Sequence, residues 1–226
     1  MSAQSTSPSR AADRPEPLSD AFWHRRVAEE QGLLTNQICR VVFIGDSLTD
    51  FWTHYGLDTW ETKMAPLKAG NIGIAGDRTE HILWRIEHLD FHRAKPEVFV
   101  LLMGTNNLGM VPPDPPEAII RAQKKAIADL FRQFPQSRIL LLEIPPNGFD
   151  PDSYYRQGAI ATNALMRKTP WPERVKLVPL YADFVDEAGH WKPGLTVDGL
   201  HFGADGYALL GKILEGPLKE ALGAEK

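Results

Sequence analysis

Val41-Val42-Phe43-Ile44-Gly45-Asp46-Ser47-Leu48 is the stretch that decides how this chain folds. Apolar, mostly β-branched residues followed at once by Gly, Asp and Ser read as a strand covered on both faces that ends in a tight turn. The apolar character begins at Ile38, so the predicted strand covers 38–45. Similar runs recur at Pro96–Met103, at Arg138–Ile144 and, more weakly, at Arg174–Leu180, with a further short candidate at Leu67–Ile72. Between them lie segments with helical spacing. Ala21–Gly32 opens at Ser19 or Asp20 and is expected to end at Gly32. Thr79–Leu89 carries Ile82, Leu83 and Ile86 on one face. Asp114–Phe134 has a cap at Asp114, Pro115 in its first turn and an apolar stripe from Ile119 to Phe134. Ser153–Lys168 is another helix. Gly206–Leu222 is the last, with Gly216-Pro217 expected to kink or restart it. Strands alternating with helices predict an α/β fold, a parallel sheet with helices on both faces. Reactive residues then belong just past the carboxyl ends of the strands.

Composition sets the outer bounds. The chain has 226 residues, a net charge of −4, 43% hydrophobic and 24% charged residues. That is enough apolar content for a packed core, which excludes disorder along the whole length. A slightly acidic chain has no basic field to draw in nucleic acid. Cys39 is the single cysteine, so neither an intramolecular disulfide nor a multi-cysteine zinc site is available. No apolar run reaches the length of a membrane span, and the first twenty residues lack the apolar core of a signal peptide. The expectation is a cytoplasmic protein without a membrane span. Residues 1–18, rich in Ser, Pro, Ala and Arg, read as a disordered tail, and 19–226 as a single domain.

Ser47 falls at the turn after the first strong strand. A serine there can project from the sheet edge as a nucleophile. The same residue types also serve as ordinary turn and helix-cap residues. Gly104-Thr105-Asn106-Asn107 ends the third strand, where Asn106 can offer a side-chain N–H to a developing oxyanion or simply shape a turn. Asn71-Ile72-Gly73-Ile74-Ala75-Gly76-Asp77 ends the second. A glycine there lets a backbone N–H approach a ligand, and no Gly-Lys-Ser/Thr follows to make a phosphate loop. Of seven histidines, His201 is best placed as a base, because Asp198-Gly199-Leu200-His201 immediately precedes the last helix. Asp-x-x-His is by itself a common spacing, also met in plain turns. His81, His88 and His92 read as surface or helix-face residues, without metal-ligand spacing. Together the blocks say far more than any one of them, since they fall at strand ends in the order the fold requires.

On these residues the chain resembles the SGNH hydrolases, the GDSL-type esterases and lipases. The resemblance covers about Trp23 to the last helix. Asn71 to Ile86 is most similar to the catalytic subunits of intracellular platelet-activating-factor acetylhydrolase, and to bacterial acyl- and sugar-acetyl-esterases of that kind. One departure is Ala75, where that branch often has Gly. The resemblance implies a flavodoxin-like three-layer α/β/α fold with a five-stranded parallel sheet of order 2-1-3-4-5. It implies Ser47 as nucleophile, His201 as general base and Asp198 as the residue orienting it. The oxyanion hole would be the Ser47 N–H, the Gly76 N–H and the Asn106 side chain. No metal or organic cofactor is needed. Relatives of this kind dimerise, so monomer and homodimer both stay open.

The implied reaction is hydrolysis of a small-molecule ester through an acyl-serine. Short loops after Ser47, after Asn106 (Leu108 to Pro113) and before Asp198 (Trp191 to Thr196) predict an open cleft. Such a cleft suits an acetyl-type acyl group on a bulkier alcohol, a carbohydrate or other small molecule first. Trp52, Leu108 and Trp191 are candidate substrate-binding residues, with Trp52 or Trp191 as a sugar-stacking surface or else core. A phospholipid-type acetylhydrolase, a lysophospholipase and a thioesterase are alternatives in the same class. An inactive binding module that keeps the fold, or a scaffold acting through the tail, are alternatives outside it.

Overall fold

A computed structural model describes residues 11–223. Five parallel strands, β1 (Val41–Gly45), β2 (Ala69–Asn71), β3 (Val98–Leu102), β4 (Arg138–Leu142) and β5 (Val175–Val178), form one sheet in the order β2-β1-β3-β4-β5. This is the expected sheet. β1 pairs with β3 from Val41 opposite Val98 to Gly45 opposite Leu102, and with β2 from Val41 opposite Ala69. Each strand is shorter than its apolar run. Ile38 is 47% exposed, so apolar character began before pairing did.

Alternation along the strands divides the core in two. Val42, Ile44, Phe99 and Leu101 point to one face, against Leu34 and helices Thr79–His88, Pro116–Gln133 and Tyr154–Lys168. Val41, Phe43, Val100 and Leu102 point to the other, against the segment following Ser47 and helix Ala204–Ala221. Both sheet faces are therefore dry, which is why β1 and β3 carry no polar residue before their ends.

Four local expectations need correction. The first helix runs Ala21–Asn36 and passes through Gly32, because Leu34 is fully buried and its packing outweighs the glycine. Asp20 caps it, accepting from the Phe22 N–H. Asp114 is not the cap of helix Pro116–Gln133, whose cap position is Pro115; the Asp114 carboxylate accepts from Asn107 Nδ2 at 2.8 Å. The last helix continues through Pro217, held by buried Leu214 and Leu218 on either side. The predicted disordered tail lies outside the described residues for 1–10. From Ala11 onward the chain lies against the body: Ala12 is buried, its carbonyl accepts from Thr79 Oγ1, and Asp13 pairs with Arg121.

Strand order 2-1-3 means that the chain leaves β1 to one side and returns to the other. That reversal opens a crevice beyond the carboxyl ends of β1 and β3. The loops after β1, β2 and β3 carry Ser47, Gly76 and Asn106 to it.

Candidate active site

Asp46 and Ser47 divide the tasks that the sequence left open between them. Asp46 is the cap of the one-turn helix Ser47–Asp50, its Oδ1 accepting from the Leu48 N–H at 2.9 Å. Ser47 Oγ is thus free to turn outward, and it meets His201 Nε2 at 2.9 Å. Desolvation pushes the fully buried Asp46 up to about 7, against the pull of the Leu48 N–H.

On the far side of the imidazole, Asp198 Oδ2 lies 2.7 Å from His201 Nδ1. The turn is tied by its own backbone. The His201 and Leu200 N–H groups both donate to Asp198 Oδ1, and the Gly199 N–H donates to Thr196 Oγ1. Desolvation raises the Asp198 carboxyl, but the His201 side chain and those two N–H groups outweigh it and hold it below the ordinary range. An ionised Asp198 fixes the proton on Nδ1, which leaves Nε2 bare to accept from the Ser47 hydroxyl. Phe51 packs on the ring of His201 with centroids 5.1 Å apart.

Three candidate donors lie on the loops after β1, β2 and β3. Gly76 adopts φ +84°, a left-handed turn that suits glycine. Among the described residues, neither its N–H nor that of Ser47 meets a protein acceptor. Asn106 is the second residue of the short helix Thr105–Leu108 after β3 and donates one Nδ2 hydrogen to the Asp77 carbonyl at 2.8 Å, which leaves the second available. A developing negative charge near Ser47 would find donors of this kind already in place.

Other parts of this site escaped the sequence reading. Arg85, on the helix read only for its apolar face, is fully buried. It donates to Asp77 Oδ2 and to the carbonyls of Ile72 and Gly45, tying the ends of β1 and β2 to the Gly76 loop. Trp23 Nε1 donates to the other Asp77 oxygen at 2.7 Å. Removing one partner of such a buried ion pair costs about 3–5 kcal/mol, because the survivor is left uncompensated. His81 is buried rather than on the surface, its Nδ1 accepting from the Arg78 N–H at 3.1 Å.

The candidate substrate residues sit elsewhere. Trp52 is buried, stacked on Tyr207 and edge-on to Phe43. Trp191 is 8% exposed and donates Nε1 to the carbonyls of Gly148 and Gly199, so it braces the turn bearing Asp198. Leu108 is buried among Ile119, Ile144 and Ala159. All three fill the core, because their loops lie flat on the layers beneath. The exposed apolar side chains beside Asp198 and His201 are instead Val197 and Phe149, the latter's ring lying over Gly199.

Comparisons with known proteins establish the family and the fold. The sequence model of the GDSL-like Lipase/Acylhydrolase family matches residues 43–209. Platelet-activating factor acetylhydrolase IB subunit alpha2 of Rattus norvegicus is 31% identical over 77% of this chain and 73% of its own length. Subunit alpha1 of the same enzyme from Pongo abelii is 28% identical over 95% and 92%. A solved structure described as a putative platelet activating factor from Streptococcus pneumonia superposes with a TM-score of 0.73 at 24% identity, over 86% of this chain and 92% of that one. The chain belongs to the GDSL-like lipase/acylhydrolase family, and it is a carboxylic ester hydrolase.

Proposed function

We propose that this enzyme hydrolyses short-chain, acetyl-type esters through an acyl-serine formed on Ser47. The observation that carries the reading is the unbroken relay Asp198–His201–Ser47, with contacts of 2.7 and 2.9 Å. In the first half-reaction His201 Nε2 takes the hydroxyl proton as Oγ bonds to the ester carbonyl carbon. The carbonyl oxygen becomes an oxyanion, received by the Ser47 and Gly76 N–H groups and Asn106 Nδ2. Collapse breaks the bond to the alcohol oxygen, and His201 returns the proton to it. Water, deprotonated by the same nitrogen, then repeats the sequence on the acyl-serine and releases the acid.

The acetyl preference is supported by the relatives named acetylhydrolases. An O-acetylated carbohydrate or other small molecule is the first alcohol to test, although Trp52 and Trp191 are in the core and supply no stacking surface. A phospholipid-type acetyl ester is the second reading, favoured by exposed Phe149 and Val197 beside the relay.

A p-nitrophenyl ester series on wild type and Ser47→Ala tests the proposal. Turnover should be fastest at acetyl, vanish in Ser47→Ala, and a fluorophosphonate probe should label only the wild type. An optimum at eight carbons or longer rejects the acyl assignment, and an active Ser47→Ala rejects the mechanism. Acetate release from acetylated sugars and acetyl-phospholipids then separates the two alcohols.

A further inference from the structure

We propose that Asp50 and Arg26 are positioning residues for the oxyanion site, gripping the backbone that aims the Gly76 N–H. This rests on the acyl-serine reading above.

Gly76 itself is exposed, between buried Ile74 and Asp77. A Cβ built there would meet nothing within 4 Å, so the direction of its N–H is set by its neighbours: Asp77, already anchored by Arg85 and Trp23, and the residues just before it. Those residues are held by side chains at both polarities. Asp50 Oδ2 accepts from the Ala75 N–H at 3.0 Å. Arg26 Nη2 donates to the Gly73 carbonyl at 3.3 Å and to Asp50 Oδ1 at 3.0 Å, and Glu30 Oε1 holds the same nitrogen at 2.8 Å. The Gly73 N–H donates to Asn71 Oδ1, whose Nδ2 donates in turn to the Thr49 carbonyl.

Asp50 stands on the same helical turn as Ser47, three residues on. At Gly73 the loop touches that turn directly, since a Cβ there would come within 2.3 Å of the Asp50 backbone nitrogen. The Asp50 carboxylate is thus one direct tie between the turn that carries the Ser47 N–H and the residue before Gly76. A cavity of about 300 Å3 borders Arg26, Glu30, Asp50 and Asn71. The clamp side chains therefore have open space on one side, so a shortened Arg26 or an altered Asp50 can shift without meeting a packed wall. An oxyanion donor that shifts acts on the transition state and not on ground-state binding.

The test is a double-mutant cycle of Asp50→Asn and Arg26→Gln, with Ser47→Ala as reference, read as kcat, KM and Tm on p-nitrophenyl acetate. In Asp50→Asn the amide oxygen can still accept from Ala75, but the amide nitrogen then faces the Arg26 guanidinium, donor against donor. In the double variant the glutamine side-chain oxygen brought in by Arg26→Gln can accept from that amide nitrogen. Each single change is expected to lower kcat about 10- to 100-fold with KM within about twofold, below the 10²–10³ of a deleted donor. The double variant should recover most of the loss. Wild-type kcat in folded single variants, or a loss that follows Tm alone without recovery in the double variant, overturns the proposal. Should Asp50→Asn fail to fold, the half-buried Arg26→Gln decides by the same criteria. If Ser47→Ala stays active, the acyl-serine reading falls first and this inference with it. A dead Ser47→Ala beside unaffected clamp variants overturns the inference alone.

Discussion

Ser47 Oγ and His201 Nε2 meet at 2.9 Å across 154 residues of sequence. One follows β1, the other precedes the last helix, and the two elements share the same side of the sheet. The contact depends on packing between them rather than on any local turn. Four expected outcomes follow from what surrounds it.

Asp198→Asn should lower kcat by about 10²–10⁴, the scale seen when a base loses its orienting carboxylate. Asp198 is held below the ordinary carboxylate range, so it stays ionised to lower pH than a free carboxyl. It should accordingly contribute no ionisation of its own to the wild-type pH–rate profile above the ordinary carboxylate range. Full activity in the Asn variant would contradict the relay.

Asn106→Ala should reduce kcat by about 10²–10³ with little change in KM. The same change also removes the tie from Nδ2 to the Asp77 carbonyl. Circular dichroism and Tm should therefore accompany the kinetics. A change in KM alone would place Asn106 in the substrate pocket instead.

Glu30 should make stability fall as the pH rises through neutrality. Burial pushes its carboxyl up to about 7, against the pull of Arg85 and Arg26, with Asp50 pushing the same way as burial. A carboxyl raised on folding contributes stability below its ordinary value near 4.5 and loses it as pH climbs through about 7. Glu30→Gln keeps an acceptor for Arg26 but has no proton to lose. Its Tm relative to wild type should be higher at pH 8 than at pH 5. An equal or reversed difference in thermal melts would refute this.

Trp52→Ala should destabilise by about 3–5 kcal/mol, as large-to-small changes in a packed core do. The ring fills space between Phe43, Trp60 and Tyr207. Denaturant melts should show the loss, while KM of the remaining folded enzyme stays near wild type. A large KM change without loss of stability would return Trp52 to the substrate site.

The sequence by itself determined the layered fold and its order of elements. Continuous apolar runs such as Val41–Ile44 can only be strands buried on both faces, and stripes such as Ile119 to Phe134 can only be helices lying on them. It also placed Ser47, Gly76, Asn106, Asp198 and His201 at loops after strands or before the last helix. Those signals are local, carried by periodicity and turn chemistry within a few residues. Tertiary structure alone decided which aromatic rings are core and which polar groups are paired. Trp52 and Trp191 look like surface-loop residues until the layers close over them. Arg85, Arg26 and Asp50 look like solvated charges until helix orientation brings them under the Gly76 loop. Burial and ion pairing are set by which face each element presents after packing, and that information is spread over the whole chain.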